Sequence, residues 1–217
     1  MYKNNLQELE VQRNLNSKIQ RYHVINYLID KYKLINYLEI GVFKGENIRE
    51  VKALYKNGVD PGIEGYVVPE VDYPMTSDAF FDLIKDSEDI KYDLIFIDGL
   101  HEYSQVKKDI ENSLRHLQPN GFIVMHDCNP VSYDAQLPNR ETVAWNGDTW
   151  KAFVEFKKNN PEFECYVIDT DFGVGVIKNN NTTFNSLPLL DLDYQTFDLN
   201  RKQYLNLITW DEFKTKI

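Results

Sequence analysis

The sequence predicts an α/β domain: a mostly parallel, seven-stranded sheet with helices on both faces and a closing antiparallel hairpin. Three observations carry this expectation. Short apolar runs alternate with stretches of helical periodicity from Asn36 onward. The run Tyr92 to Ile97 (Tyr-Asp-Leu-Ile-Phe-Ile) is almost continuously apolar, the pattern of a strand covered by helices on both faces. Two further β-rich runs, Glu164 to Ile168 and Val174 to Ile177, flank Asp171-Phe172-Gly173 closely enough to pair as a hairpin.

The elements follow in order. Ahead of Asn36, Leu15, Ile19, Tyr22, Ile25 and Ile29 recur at helical spacing, predicting one or two helices. Ile35 to Ile40 then ends in the turn Glu39-Ile-Gly41-Val-Phe-Lys-Gly45, and Asn47 to Tyr55 reads as helix. A brief second strand ends near Val59-Asp60. A weaker third precedes Ser77, whose hydroxyl is placed to cap a helix through Phe80, Phe81 and Ile84. The strand Tyr92 to Ile97 stops at Asp98-Gly99, after which Val106, Ile110, Leu114 and Leu117 form one helical stripe. Pro119-Asn120-Gly121 supplies the turn into a strand over Phe122 to Met125. Cys128 to Gly147 is irregular, and Asp148 is placed to cap a helix carrying Trp150, Phe153 and Val154.

At 217 residues the chain fits one domain with an ample core. It divides into an N-terminal helical extension (1–35), a core (36–178) and a C-terminal extension (179–217). In the last of these, Leu190, Tyr194, Phe197, Tyr204, Leu207, Ile208, Trp210 and Phe213 predict packing on the domain or on a second copy of the chain, as in a homo-oligomer. The amino terminus is polar, and no apolar run approaches the roughly 18 residues of a membrane span, so a cytoplasmic location without a membrane partner is expected. A net charge of −10 disfavours nucleic acid, whose phosphates demand clustered Lys and Arg; a small molecule or a glycan is the expected partner. Cys128 and Cys165 form neither a disulfide framework nor a paired zinc pattern, and are expected as buried, reduced thiols.

In a sheet with right-handed crossovers, ligands sit outside the carboxyl ends of the strands, and Glu39, Gly41, Asp60, Asp98 and Asp127 all fall at such ends. The turn Glu39 to Gly45 lets backbone approach a ligand closely, although such a glycine also serves plain strand-to-helix packing. Asp60, some 20 residues on, is placed to accept the ribose hydroxyls of an adenosine-containing cofactor. Taken alone it also fits a loop aspartate before Pro61. The reacting end of the site is Asp98-Gly-Leu-His101 together with His126-Asp127, which adjacent strands would bring side by side. Carboxylates converging with a substrate oxygen suit magnesium, which would lower the pKa of an acceptor hydroxyl.

Glu-Ile-Gly-Val-Phe-Lys-Gly, Val59-Asp60-Pro61, Ser77-Asp78-Ala-Phe-Phe, Tyr92 to Tyr103 and Pro119 to Asp127 together resemble the class I S-adenosylmethionine-dependent methyltransferases, whose fold is Rossmann-like. Their order looks most like the small-molecule and sugar O-methyltransferase branch. The resemblance covers roughly Asn36 to Lys178, and its specificity lies in the spacing of several elements together. It implies S-adenosylmethionine as cofactor, with Glu39, Gly41 and Gly45 at its methionine part, Asp60 at the ribose, and Asp78 with Ser77 near the adenine. Phe43 stands where the family often has a further glycine.

In metal-dependent members resembling catechol O-methyltransferases, aspartates at the two strand ends bind a divalent ion, which carries over to Asp98 and Asp127. That subfamily follows its second aspartate with asparagine, whereas Cys128 stands here and Asn129 comes one place later. Its lysine base, three residues past the first aspartate, is matched in position by His101, whose free pKa suits proton removal. His126 is open to three roles: a second base, a metal ligand through nitrogen, or a histidine that orients Asp127. Tyr133, Trp145 and Trp150 are candidates for an aromatic acceptor wall, or else anchors of a long loop.

The expected reaction is O-methylation of a small hydroxylated acceptor, with a sugar or glycan precursor favoured by the resemblance. Two other readings remain beside it: an NAD-linked oxidoreductase and a cofactor-binding protein without turnover. The first is disfavoured because residues 41–46 read Gly-Val-Phe-Lys-Gly-Glu rather than Gly-x-Gly-x-x-Gly.

Overall fold

The computed structural model describes residues 2–63, 65–186 and 192–217. Two N-terminal helices, α1 (Tyr2–Leu15) and α2 (Arg21–Tyr32), precede β1 (Asn36–Ile40), α3 (Glu46–Glu50) and β2 (Tyr55–Val59). The middle of the chain runs α4 (Ser77–Ile84), β3 (Tyr92–Ile97), α5 (Tyr103–Arg115), β4 (Leu117–Met125) and α6 (Thr149–Asn159). It closes with β5 (Glu164–Ile168), β6 (Val174–Lys178), α7 (Tyr194–Leu205), β7 (Leu207–Ile208) and α8 (Trp210–Lys216). One seven-stranded sheet results, in the order β2-β1-β3-β4-β6-β5-β7. β2, β1, β3 and β4 are mutually parallel, and β6 runs antiparallel between β4 and β5.

Two-residue alternation decides which layer each strand residue feeds. Leu38, Ile40, Ile95, Ile97, Ile123 and Met125 pack with Phe80 of α4, Val106 and Ile110 of α5 and Phe153 of α6. Tyr37, Leu94, Phe96, Phe122 and Val124 pack with Ile25 and Leu28 of α2, Ile48 of α3 and Phe213 of α8. The sheet is thus covered on both faces, which explains the unbroken apolarity of β3. Cys128 and Cys165 are buried and free.

The count of seven strands matches expectation, but its membership does not. The strand expected before Ser77 is reduced to a single parallel bridge, Val59 to Tyr73, and the seventh strand is instead β7, paired in parallel with β5. The helix expected over Asn47 to Tyr55 ends at Glu50, because Val51 is already extended and Tyr55 opens β2. The cap of α4 is Thr76, whose hydroxyl accepts from Ala79 N at 3.3 Å, and Ser77 is the first helical residue. Leu117, expected on the α5 stripe, begins β4. Asp148 sits at the N-cap position of α6 but turns its carboxylate to Tyr103 N, at the start of α5.

The C-terminal segment packs on the domain. Phe197 and Phe213 are fully buried, and Phe197 stacks on Trp150 with ring centroids 3.9 Å apart. Leu190, expected in that packing, lies outside the described residues. No helix among the described residues is long and apolar enough to cross a membrane.

Candidate active site

Because β1, β2, β3 and β4 are parallel, their carboxyl ends share one rim. A cleft of about 700 Å³ opens there, lined by Glu39, Gly41, Asp60, Ser77, Asp78, Asp98, His101, His126 and Asp127 among others. Of the residues expected to hold the cofactor, a metal or the acceptor's proton, all but Gly45 line this single cleft. Gly45 is set back from it: it takes φ +76 at the N-cap of α3, beside Arg49 and Glu70.

On the β1–β2 side, Gly41 takes φ +88, and a Cβ there would overlap the backbone of Asp98 and Gly99. Only glycine lets the first turn lie against the end of β3. Phe43, where the family often has glycine, adopts φ +50, so the turn keeps a left-handed residue despite the side chain. Its amide donates to Asp60 Oδ2 at 2.8 Å, and Gly62 N donates to Asp60 Oδ1 at 2.7 Å. Asp60 is thereby fixed against the glycine turn. Glu39 is buried, and its Oε2 accepts from Tyr37 Oη at 2.5 Å and Asn47 Nδ2 at 2.8 Å. At the far end of this side, Gln105 Nε2 donates to Ser77 Oγ (3.1 Å) and Asp78 Oδ1 (2.9 Å), while Lys108 pairs with Asp78 Oδ2.

On the β3–β4 side the acidic and imidazole groups interlock. His101 Nε2 is 3.3 Å from Asp98 Oδ1, and its Nδ1 is 3.4 Å from Asp127 Oδ2. His126 Nδ1 faces both carboxylates, at 3.3 Å from Asp98 Oδ1 and 3.0 Å from Asp127 Oδ2. Asn146 donates to the other oxygen of Asp127. Asp98, His101 and Asp127 each offer a ligand atom within 4.8 Å of the others. His101 Nδ1 is buried with no hydrogen-bond partner. An oxygen and nitrogen donor set with an unsatisfied buried nitrogen fits a divalent ion.

Burial opposes every charge in this cluster, yet mutual attraction prevails. It works against ionised Asp98, but His126, His101 and Arg21 hold that carboxyl far below the usual range. It likewise opposes charged His101 and His126, but Asp127 and Asp98 raise both, His126 well above its ordinary value. Glu39 shows the reverse balance. Burial outweighs its bonds to Tyr37 and Asn47, and its carboxyl is pushed up to about 7.

Residues 38–128 match the family model described as a methyltransferase domain, a segment that runs from β1 to just past the cluster. Among solved structures, an O-methyltransferase from Bacillus cereus in complex with SAH is 15% identical, covering 80% of this chain and 89% of that one, with a TM-score of 0.51. A protein from Staphylococcus aureus, assigned as a caffeoyl-CoA O-methyltransferase, is 16% identical over 81% of this chain and 91% of its own, with a TM-score of 0.55. The SAH-bound methyltransferase of Podospora anserina is 16% identical over 80% and 85%, with a TM-score of 0.50. The chain has the class I methyltransferase fold. No curated protein matches it in sequence.

Onto this methyltransferase fold the chain adds groups that its sequence does not mark. Arg21, the first residue of α2, reaches the cleft with its Nε 3.6 Å from Asp98 Oδ2. Its Nη1 lies 3.1 Å from Asp171 Oδ2, and its amide donates to the same oxygen at 2.8 Å. Asp171 belongs to the β5–β6 turn, where burial is overcome by His126 and Arg21 and the carboxyl is held down to about 2. The only local signal is a left-handed turn at Asp171-Phe172-Gly173, which reads as hairpin chemistry.

The cleft keeps one of the three expected wall aromatics. Trp145 lines it, stacked on His101 with centroids 5.0 Å apart. Trp150 is fully buried against Phe197, and Tyr133 turns its edge to Tyr194 outside the cleft lining; both hold the loop and α7 together. Asn129 is likewise directed away, bonded to Arg201 and Asp169.

Proposed function

We propose that this chain transfers the methyl group of S-adenosylmethionine to a hydroxyl oxygen of a small acceptor, with a sugar or glycan precursor favoured. The observation that carries the reading is one cleft with two chemically distinct sides. Glu39, Gly41 and Asp60 stand at one side, and Asp98, His101, His126 and Asp127 at the other. A volume of about 700 Å³ is in the range of cofactor-plus-substrate sites. Two of the similar structures are described as SAH-bound, which supports the choice of cofactor.

Within this reading, Asp60 accepts the ribose hydroxyls and Glu39 and Gly41 form the wall at the methionine part, with Gly45 behind them shaping the turn. Ser77 and Asp78 lie at the adenine. His101 takes the acceptor's proton on Nδ1, the ring nitrogen with no hydrogen-bond partner, as methyl transfer proceeds, and Asp98 at Nε2 and Asp127 at Nδ1 flank the imidazolium so formed. Trp145 holds the ring of His101 from its face and offers a stacking surface for the acceptor. Asp98 and Asp127 hold a divalent ion such as magnesium, which when bound lowers the pKa of the acceptor hydroxyl. The rest of the rate comes from alignment.

The test is a thermal-shift comparison of S-adenosylmethionine, SAH and NADH, followed by transfer of a labelled methyl group to a panel of hydroxylated acceptors. Stabilisation by SAH and S-adenosylmethionine alone is expected. Stabilisation by NADH alone would replace this reading with the oxidoreductase. Cofactor binding with no transfer to any acceptor, unchanged in His101→Ala, would favour a non-catalytic protein.

A further inference from the structure

We propose that His126 is a third protein ligand, through Nδ1, of the ion held by Asp98 and Asp127, and that the site therefore prefers a transition metal such as manganese over magnesium. The inference rests on the reading of the two aspartates as ion-holding groups and goes beyond it in ligand and in metal.

The first support is spacing. Ligand atoms bonded at about 2.0–2.2 Å to one ion lie roughly 3.0–3.5 Å from one another. His126 Nδ1 stands 3.3 Å from Asp98 Oδ1 and 3.0 Å from Asp127 Oδ2, within that range for both. His101, with its unsatisfied Nδ1, borders the same two carboxylates from the other side.

The second support is what lies behind the ring. A metal-bound histidine commonly gives its other N–H to a carboxylate, which fixes ring orientation and raises ligand basicity. His126 Nε2 is 3.4 Å from Asp171 Oδ1, and Asp171 is 3% exposed. Arg21 holds Asp171 in turn through its side chain and its amide. Three segments far apart in sequence thus converge to orient one ring: α2, the end of β4 and the β5–β6 turn.

The metal preference follows from donor chemistry. Magnesium favours oxygen ligands and retained water, whereas imidazole nitrogen suits manganese, iron or zinc. A competing arrangement has Arg21 Nη1 donate a hydrogen bond to Nε2 of the same ring at 3.3 Å and Nδ1–H point at the carboxylates, which leaves no place for the ion.

Calorimetric titration of the chelator-treated full chain with manganese and with magnesium separates the two. We expect manganese to bind at least tenfold more tightly, with nitrogen modulation in its electron spin-echo spectrum. His126→Gln should remove that modulation while His101→Gln keeps it. Asp171→Asn should weaken manganese binding roughly 10–100-fold. Equal affinity for the two ions, absence of nitrogen modulation in the unsubstituted chain, or its loss only in His101→Gln would overturn the proposal; two of these outcomes need no variant to fold. SAH binding measured on the same samples keeps the readings apart. SAH binding together with no binding of either ion sinks the metal site alone, whereas absence of SAH binding sinks the methyltransferase reading.

Discussion

At the β1–β2 side of the cleft the glycine turn and the loop that begins at Asp60 lie close together in the chain, and the bond from Phe43 N to Asp60 ties one to the other. At the β3–β4 side Asp98 and Asp127 are surrounded by Arg21 from α2, Asn146 from the long loop and Asp171 from the hairpin turn. The first side is a local structure, the second a convergence of remote segments. Cofactor binding and proton removal should therefore be separable by substitution, with the remote side more sensitive to changes in packing.

His101→Ala tests that separation most severely. Loss of a general base is worth roughly 10²–10⁴ in rate, so kcat should fall by that much while SAH affinity, measured by calorimetry, stays put. An equal fall in SAH affinity would show that the two sides are one unit. Arg21→Met comes next. It takes from Asp171, a buried carboxylate, one of its two charged partners and leaves only His126, and removing one member of a buried pair is destabilising by up to about 3 kcal/mol. Denaturant unfolding should register the loss; an unchanged midpoint would mean that the N-terminal helices do not brace the remote side.

Glu39 supplies a pH test on the local side. Its carboxyl is raised to about 7 in the folded chain, so the stability associated with the neutral form is complete below the ordinary value of 4.5 that it regains on unfolding. That stability, roughly 3 kcal/mol in all, is lost as pH rises through 7. Glu39→Gln should abolish this decline, visible as a flatter melting temperature between about pH 4.5 and 7.5. A parallel decline in both chains would place the titrating group elsewhere. The smallest effect is expected for Asp60→Asn, which keeps shape but loses charge-assisted acceptance. SAH affinity should drop roughly 10–100-fold, from about 1.5–3 kcal/mol, with the rate at saturating cofactor unchanged.

The same contrast explains what can be read from the sequence. Glu39, Gly41, Asp98 and Asp127 each lie at the end of an apolar run that closes in a turn, so strand periodicity alone puts them on the carboxyl rim; Asp60 follows the polar strand Tyr-Lys-Asn-Gly-Val and is marked instead by its spacing from the glycine turn. Arg21 and Asp171 carry no such mark, because their partners are fixed only when α2 docks against a turn 150 residues away in the chain. The side-chain chemistry of Trp150 and Tyr133 suits an acceptor wall, but packing against α7 decides their use. The cap of α4 falls one residue earlier than expected because Thr76 and Ser77 are equally able caps, and only the backbone angle distinguishes them. The strand expected before Ser77 does not form because the chain there makes just one bridge, too little pairing for periodicity to report.

The two-residue strand β7 has a consequence out of proportion to its length. By pairing with Val167 and Ile168 it covers backbone groups of β5 that would otherwise form a bare margin, and Asn206 adds a bond to the carbonyl of Cys165. Margins of that kind recruit strands from other molecules. Cutting the chain before Leu207 would remove no cleft residue yet turn a covered margin into an adhesive one and strip Phe213 from α2, so shortened versions should be judged by light scattering before their activity is compared.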